Sequence, residues 1–174
     1  SMSADLHKYG YASKGASTVF FRSADLREYM TFDVGPWPLG RMMTPTLAGT
    51  RPAGAIAAAW AVMNFLGVEG YCAKQGEVVA AREKIEAGVK RLGFSVLGEP
   101  KLGIVAFAHP QADALSLYAK MHHRGWFTAA LLDPKALHLM LSPKHNEVAN
   151  EYLADLASVL QETGGDAIAP RYAG

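Results

Sequence analysis

Cysteine is almost missing from this 174-residue chain, since Cys72 stands alone. One thiol excludes an internal disulfide framework, fits a reducing compartment, and most simply serves as a buried small hydrophobe. An excess of either charge is missing too. Lys and Arg number 17 against 16 Asp and Glu, a formal net charge of +1, so nothing argues for a nucleic-acid partner. The longest apolar stretch, Ala55 to Met63, falls far short of the ~20 residues that cross a bilayer. With no secretory signal and no membrane segment, the expected location is cytoplasmic. Internal repeats and low-complexity segments are absent. Gly10 and Gly15 do not make a dinucleotide fingerprint, because the G-x-G-x-x-G spacing is lacking. His122 and His123 are neighbours on a helix and diverge by roughly 100°, which prevents shared chelation. His109, His138 and His145 are isolated, and the expectation is that no metal is bound. What remains, 50% hydrophobic and 19% charged residues, describes an ordinary globular protein with enough residues for a sizeable core.

Along the chain, Ala16 to Arg22 is β-branched and aromatic without alternation, as in a strand buried on both faces. Ser23 can cap a short turn, and Tyr29 to Asp33 is a further extended candidate. Gly35 to Gly40 holds two prolines and must be loop. Thr50 and Pro52 suit the N-cap and first position of a helix whose body, Ala53 to Leu66, is apolar nearly all round. Such a helix is buried on most sides, at an interface or domain junction. A second helix, about Gly70 to Leu92, keeps Val78, Ile85, Val89 and Leu92 on one face and ends at Gly93. From Phe94 short strands alternate with helices: a hairpin of 94–97 and 104–108, a helix from Asp113 to His123, strands at 126–130 and 137–141, and a helix from Asn146 to Glu162 stopped by Gly164 and Gly165. The expected result is an α+β domain with a mostly antiparallel sheet covered by helices on one side.

The chemistry-bearing stretch is Ser3-Ala-Asp-Leu-His-Lys-Tyr-Gly10, which sets Lys8 between a histidine and a glycine turn. The expectation is that Lys8 lies where a parallel strand gives out, the place where open α/β sheets bind ligands. A lysine in a partly desolvated pocket has its amine activated for attack on a carbonyl, forming a Schiff base, and pyridoxal phosphate is the cofactor that most often exploits it.

The run from Ser1 to Ser17, followed by Thr46-Leu-Ala-Gly-Thr-Arg-Pro-Ala-Gly54, closely resembles the pyridoxal-phosphate lyases of the sphingosine-1-phosphate lyase type. These are grouped with the group II amino-acid decarboxylases. The resemblance implies an α/β fold, the C-terminal part of an aspartate-aminotransferase-like (fold type I) enzyme, with the end of the large-domain sheet followed by an α+β small domain. The implied division is a large-domain remnant at 1–50, connecting helices and dimer interface at 51–93, and the small domain at 94–174. In the family the lysine lies well into the chain, whereas seven residues precede Lys8 here. The expectation is therefore a C-terminal portion whose N-terminal half is missing.

By the same resemblance Lys8 is the catalytic, Schiff-base residue. His7 and Lys8 bind pyridoxal 5'-phosphate, with His7 donating to its phosphate. Gly49 and Thr50 reach the cofactor of the partner subunit, so that a homodimer shares its sites across the interface. Asp5 could orient His7 or accept loop amides, and Ser3 could lie under the cofactor ring. Lys14 and Arg51 are assigned to the substrate phosphate; for Lys14 a plain surface loop lysine, and for Arg51 a structural role in the loop, are the alternatives. The block around Arg51 has the makings of an anion site built from backbone amides and a helix N-terminus. The implied activity is retro-aldol cleavage of a phosphorylated long-chain amino alcohol to a fatty aldehyde and phosphoethanolamine, in sphingolipid metabolism. A group II amino-acid decarboxylase, within carboxylic acid metabolism, is the alternative enzyme reading. A non-catalytic folding or dimerisation fragment is the alternative of another class.

Overall fold

In the computed structural model, residues 1–46 and 48–162 are described; Leu47 of the second block and the helix stop expected at Gly164 and Gly165 lie outside them. The chain divides into two compact units, Ser1–Tyr71 and Cys72–Gly174.

The first unit opens with β1 (Met2–Asp5) and β2 (Ser17–Phe20), an antiparallel pair in the register Met2 to Phe20, Ser3 to Val19, Ala4 to Thr18 and Asp5 to Ser17. Lys8 therefore lies in the connection of a hairpin and not at the end of a parallel strand. The chain between Asp5 and Ser17 is too short for the helical crossover that a parallel neighbour needs. Nor is β2 buried on both faces: Val19 and Phe20 are 46% and 54% exposed. Helix α1 (Ala24–Glu28) follows Ser23, whose backbone is extended as at an N-cap although its hydroxyl makes no capping bond. A second hairpin pairs β3 (Phe32–Val34) with β4 (Met42–Thr44) around the expected Gly35 to Gly40 loop. Its strands are stapled by Arg41, whose Nε donates to Asp33 Oδ1 over 2.9 Å.

Helix α2 spans Gly54–Arg91 and joins the two helices read from the sequence; Gly67 breaks the helical backbone inside it with φ 58° and ψ −176°. That left-handed φ is one that glycine adopts without steric cost. The helix starts two residues beyond Pro52, so Thr50 is not its cap. Its first segment is open rather than buried: Ile56, Trp60 and Phe65 are 60%, 70% and 88% exposed. The segment is also longer in its apolar character than contiguous runs suggest, because a window averages across Asn64. By length and composition alone α2 is long and apolar enough to cross a membrane, with a mean hydropathy of 1.3 over eighteen residues.

The second unit holds the four-stranded antiparallel sheet β5-β6-β8-β7, made of β5 (Ser95–Val96), β6 (Ile104–Ala108), β7 (Ala129–Leu132) and β8 (Lys135–Met140). Register places Val105 beside Leu139 and Phe107 beside Leu137. These four are buried and meet Val78, Ile85 and Val89 of α2, Leu117 and Met121 of α3 (Ala114–His123), and Tyr152 and Leu156 of α4 (His145–Gln161). The alternate face carries Ile104 and Met140, 49% and 65% exposed. One face of the sheet is thus covered by helices, as the alternation of its strands implies. Asp113 caps α3 by accepting from the Ser116 amide at 2.9 Å.

Candidate active site

The loop that carries Lys8 is closed by three backbone hydrogen bonds. The Lys8 amide donates to Asp5 O (3.1 Å), the Tyr11 amide to Lys8 O (3.0 Å) and the Ala12 amide to Leu6 O (2.9 Å). Gly10 is required where it stands, since a Cβ there would lie 2.5 Å from Leu6 O and 2.8 Å from Leu6 Cα. Tyr11 takes a left-handed φ of 56°, uncommon for a residue with a side chain. Its ring stacks on Tyr71, centroids 6.4 Å apart, and the Tyr71 hydroxyl donates to Gly10 O over 2.9 Å.

At the tip Lys8 Nζ stands 2.7 Å from Asp5 Oδ2, with side-chain exposures of 67% and 31%. Asp5 Oδ1 accepts from Ser17 Oγ over 2.7 Å, across the strand pair. The amine and then the hydroxyl hold the Asp5 carboxyl below its ordinary range. Two expectations change here. Lys8 is solvent-accessible and ion-paired within this chain rather than set in a desolvated pocket, because no described element covers the hairpin tip on that side. Asp5 faces Lys8 rather than His7. The His7 ring instead bonds Ala16 O through Nδ1 at 3.1 Å. A carbonyl only accepts, so Nδ1 carries the proton, and Nε2 can donate to an anion only in the imidazolium form. Pairing and pleat put Ser3 on the face that carries Asp5, Ser17 and Val19.

The second block is arranged differently. Gly49 adopts φ 61°, and its amide donates to Thr46 O over 3.3 Å. Thr50 and Arg51 are exposed. Because α2 begins at Gly54, the unpaired first-turn amides belong to residues after Arg51, and the helix-terminus cradle expected around Thr50 is displaced along the chain. Arg51 is the single charged residue lining a cleft of about 570 Å3 between hairpin residues Leu6, Thr18 and Phe20 and helix residues Ile56 and Trp60. Lys8, His7 and Lys14 do not line it. The structure therefore brings Lys8, Asp5 and Ser17 together, and Ser17 also lines the cleft that holds Arg51. Lys14 is exposed and Gly15 beside it has φ 102°. Among the described residues, no group of three or more His, Cys, Asp or Glu could hold a metal ion.

An aldehyde-bearing, phosphorylated cofactor needs a reachable primary amine and cationic or hydroxyl donors around it. Lys8 supplies the first and its chain neighbour His7 a ring donor, so these residues fit such a group; the second block makes no hydrogen bond with them among the described residues. Ser17 and Tyr71 were not singled out from the sequence. Hairpin register alone could have found Ser17, whereas Tyr71, 61 residues from Gly10, left no local signal.

No family model matches the chain. It is 37% identical over 157 residues to a sphingosine-1-phosphate lyase of Oryza sativa subsp. japonica, covering 90% of this chain and 29% of that protein. A probable L-tyrosine/L-aspartate decarboxylase of Methanothermobacter thermautotrophicus is 31% identical over 143 residues, 82% of this chain and 39% of its own length. Among solved structures, the sphingosine-1-phosphate lyase of Burkholderia pseudomallei superposes with a TM-score of 0.84 at 34% identity, over 91% of this chain and 37% of the other. The chain thus spans about 30% of the length of the curated relatives it matches. A Lactobacillus brevis glutamate decarboxylase, TM-score 0.72 at 17% identity, shares the fold alone. The fold is that of the C-terminal part of an aspartate-aminotransferase-like, fold type I enzyme.

Proposed function

We propose that this chain, similar to sphingosine-1-phosphate lyases across nine-tenths of its length, is the C-terminal portion of a pyridoxal-phosphate-dependent carbon–carbon lyase. The reaction is cleavage of a phosphorylated long-chain amino alcohol to a fatty aldehyde and phosphoethanolamine. The observation that carries this reading is Lys8: an accessible amine fixed on the hairpin tip by Asp5, in a chain of that similarity.

Pyridoxal phosphate supplies an electron sink for the carbanion left when the carbon–carbon bond breaks. Lys8 is the residue that holds it covalently, and the amine, once displaced, is placed to carry a proton to or from the reacting carbon. His7, whose Nδ1 bonds Ala16 O, would donate to the cofactor phosphate. Gly49 and Thr50, exposed beyond the hairpins, serve the cofactor of a second copy in a homodimer. Lys14 and Arg51 take the substrate phosphate, the guanidinium as a bidentate partner and the ammonium as a point charge.

The open apolar face of the first unit supports the further reading that the rest of the enzyme and the second copy pack here. Phe20 and Trp60 line one cleft and are 54% and 70% exposed, more apolar surface than scattered side chains leave to water. On this reading α2 packs on protein and the enzyme works in the cytoplasm.

The test is product analysis with the whole enzyme. Release of a long-chain aldehyde from a phosphorylated sphingoid base, lost in Lys8→Ala, is the expected result. Carbon dioxide from an aromatic or acidic amino acid, with no aldehyde, would overturn it in favour of the decarboxylase that the second relative represents.

A further inference from the structure

Lys8 is held by a carboxylate that is itself held. Asp5 ends β1, and its Oδ1 is tied to Ser17 of β2 by a 2.7 Å hydrogen bond at a position where register sets the two residues opposite each other. The other oxygen, Oδ2, is 2.7 Å from Lys8 Nζ. The turn between them is closed by the 3.1 Å bond from the Lys8 amide to Asp5 O, so backbone and side chain make the same Asp5 to Lys8 connection twice. An ion pair on an open loop is commonly two mobile side chains meeting, and contributes little. Here one partner is braced, because the Ser17 hydroxyl holds one oxygen of the carboxylate.

We infer that Asp5 is a positioning residue for Lys8: buttressed by Ser17, it docks the amine on the Ser3 and Val19 face of the hairpin whenever that amine is not covalently engaged. The inference rests on the reading of Lys8 as the cofactor lysine for its purpose, though not for its geometry. The docked amine must leave its 2.7 Å contact with Asp5 before it can attack a carbonyl. Asp5 thereby restrains the free lysine from reacting with adventitious aldehydes and returns it to one place after each release. The lowered range of the Asp5 carboxyl agrees, since the Lys8 amine and then the Ser17 hydroxyl cause it.

The test uses this chain without cofactor and reads amine reactivity. Trace acetylation with acetic anhydride near pH 8, followed by peptide mass spectrometry, gives the labelling rate of Lys8 relative to exposed Lys14 in the same molecule. Asp5→Asn is expected to raise the Lys8 to Lys14 ratio about two- to fivefold, the range an exposed ion pair supports. Ser17→Ala, which leaves the charges intact, gives a smaller rise in the same direction, and Asp5→Glu restores protection. Unchanged ratios in both Asp5→Asn and Ser17→Ala would overturn the inference. A rise in every lysine of the hairpin unit together would also overturn it, since that reports loosening of the fold. Because no cofactor is present, a failure of the lyase reading leaves these ratios untouched.

Discussion

The Tyr71 hydroxyl donates a 2.9 Å hydrogen bond to the Gly10 carbonyl, joining residues 61 apart in sequence. This contact and the stacked Tyr11 and Tyr71 rings tie the Lys8 loop to α2. Removing the hydroxyl in Tyr71→Phe keeps the ring and deletes a hydrogen bond worth about 0.5–1.5 kcal/mol. Exchange of the Tyr11 and Ala12 amides, both bonded within the loop, is expected to speed up about two- to tenfold. Unchanged exchange would mean that the loop holds itself.

Gly10→Ala acts on the same loop from inside. Its Cβ would meet the Leu6 carbonyl oxygen at 2.5 Å, and backbone cannot move aside as a side-chain tip can. The expected cost is about 1–3 kcal/mol, as for overpacking, seen as a lower denaturation midpoint of the first unit and lost protection at Ala12.

In the second unit Gly88 is where α2 and α4 approach. A Cβ there would overlap Leu153 Cδ1 and stand 2.5 Å from Cδ2. Gly88→Ala is expected to lower stability by about 1–3 kcal/mol, offset in part by the helix propensity of alanine. Adding Leu153→Ala should recover part of the loss, a coupling that a double-mutant cycle measures directly.

Acid should loosen the second unit before it touches the first. Burial holds His138 and His145 below the ordinary histidine value of 6.5. His145 Nδ1 also accepts the Ser142 amide at 2.9 Å, which needs the unprotonated ring. Both groups bind protons more readily when unfolded, so their contribution is fully present above about pH 6.5 and declines as pH falls through the region below it. Urea midpoints followed by Trp126 fluorescence should drop from pH 7.5 to 5.5, and His145→Gln should flatten that slope. A midpoint that rises on acidification would contradict the argument.

The apolar face of the first unit predicts self-association of the chain alone. Phe20 and Trp60 line one cleft and are 54% and 70% exposed, and replacing both by serine should shift sedimentation toward monomer. Monomeric wild-type chain at high concentration would argue against the face as an interface.

The second unit was legible in the sequence because its signals are local. The turn between 94–97 and 104–108 and the periodic stretches from Asp113 to His123 and from Asn146 to Glu162 each name an element without outside help. The first unit was legible in its residues and misread in its surroundings. Continuous apolar runs at Val19 to Phe20 and Ile56 to Met63 look like buried structure, yet Val19, Phe20, Ile56, Trp60 and Met63 are exposed and Ala59 is the buried residue of the second run. Lys8 likewise was set in a pocket on paper and stands at an open hairpin tip in the structure. Asp5 facing Lys8 instead of His7 turned on the tight turn closed by the Lys8 amide on Asp5 O, which apolar patterning does not encode.

The account stands on Lys8 as the residue that takes the cofactor. The chain is incubated with pyridoxal phosphate, reduced with borohydride, and weighed intact beside Lys8→Ala. One adduct per chain, mapped to Lys8 and absent from the variant, is the predicted result. An adduct of equal yield in Lys8→Ala, spread over Lys14 and other exposed lysines, would contradict it.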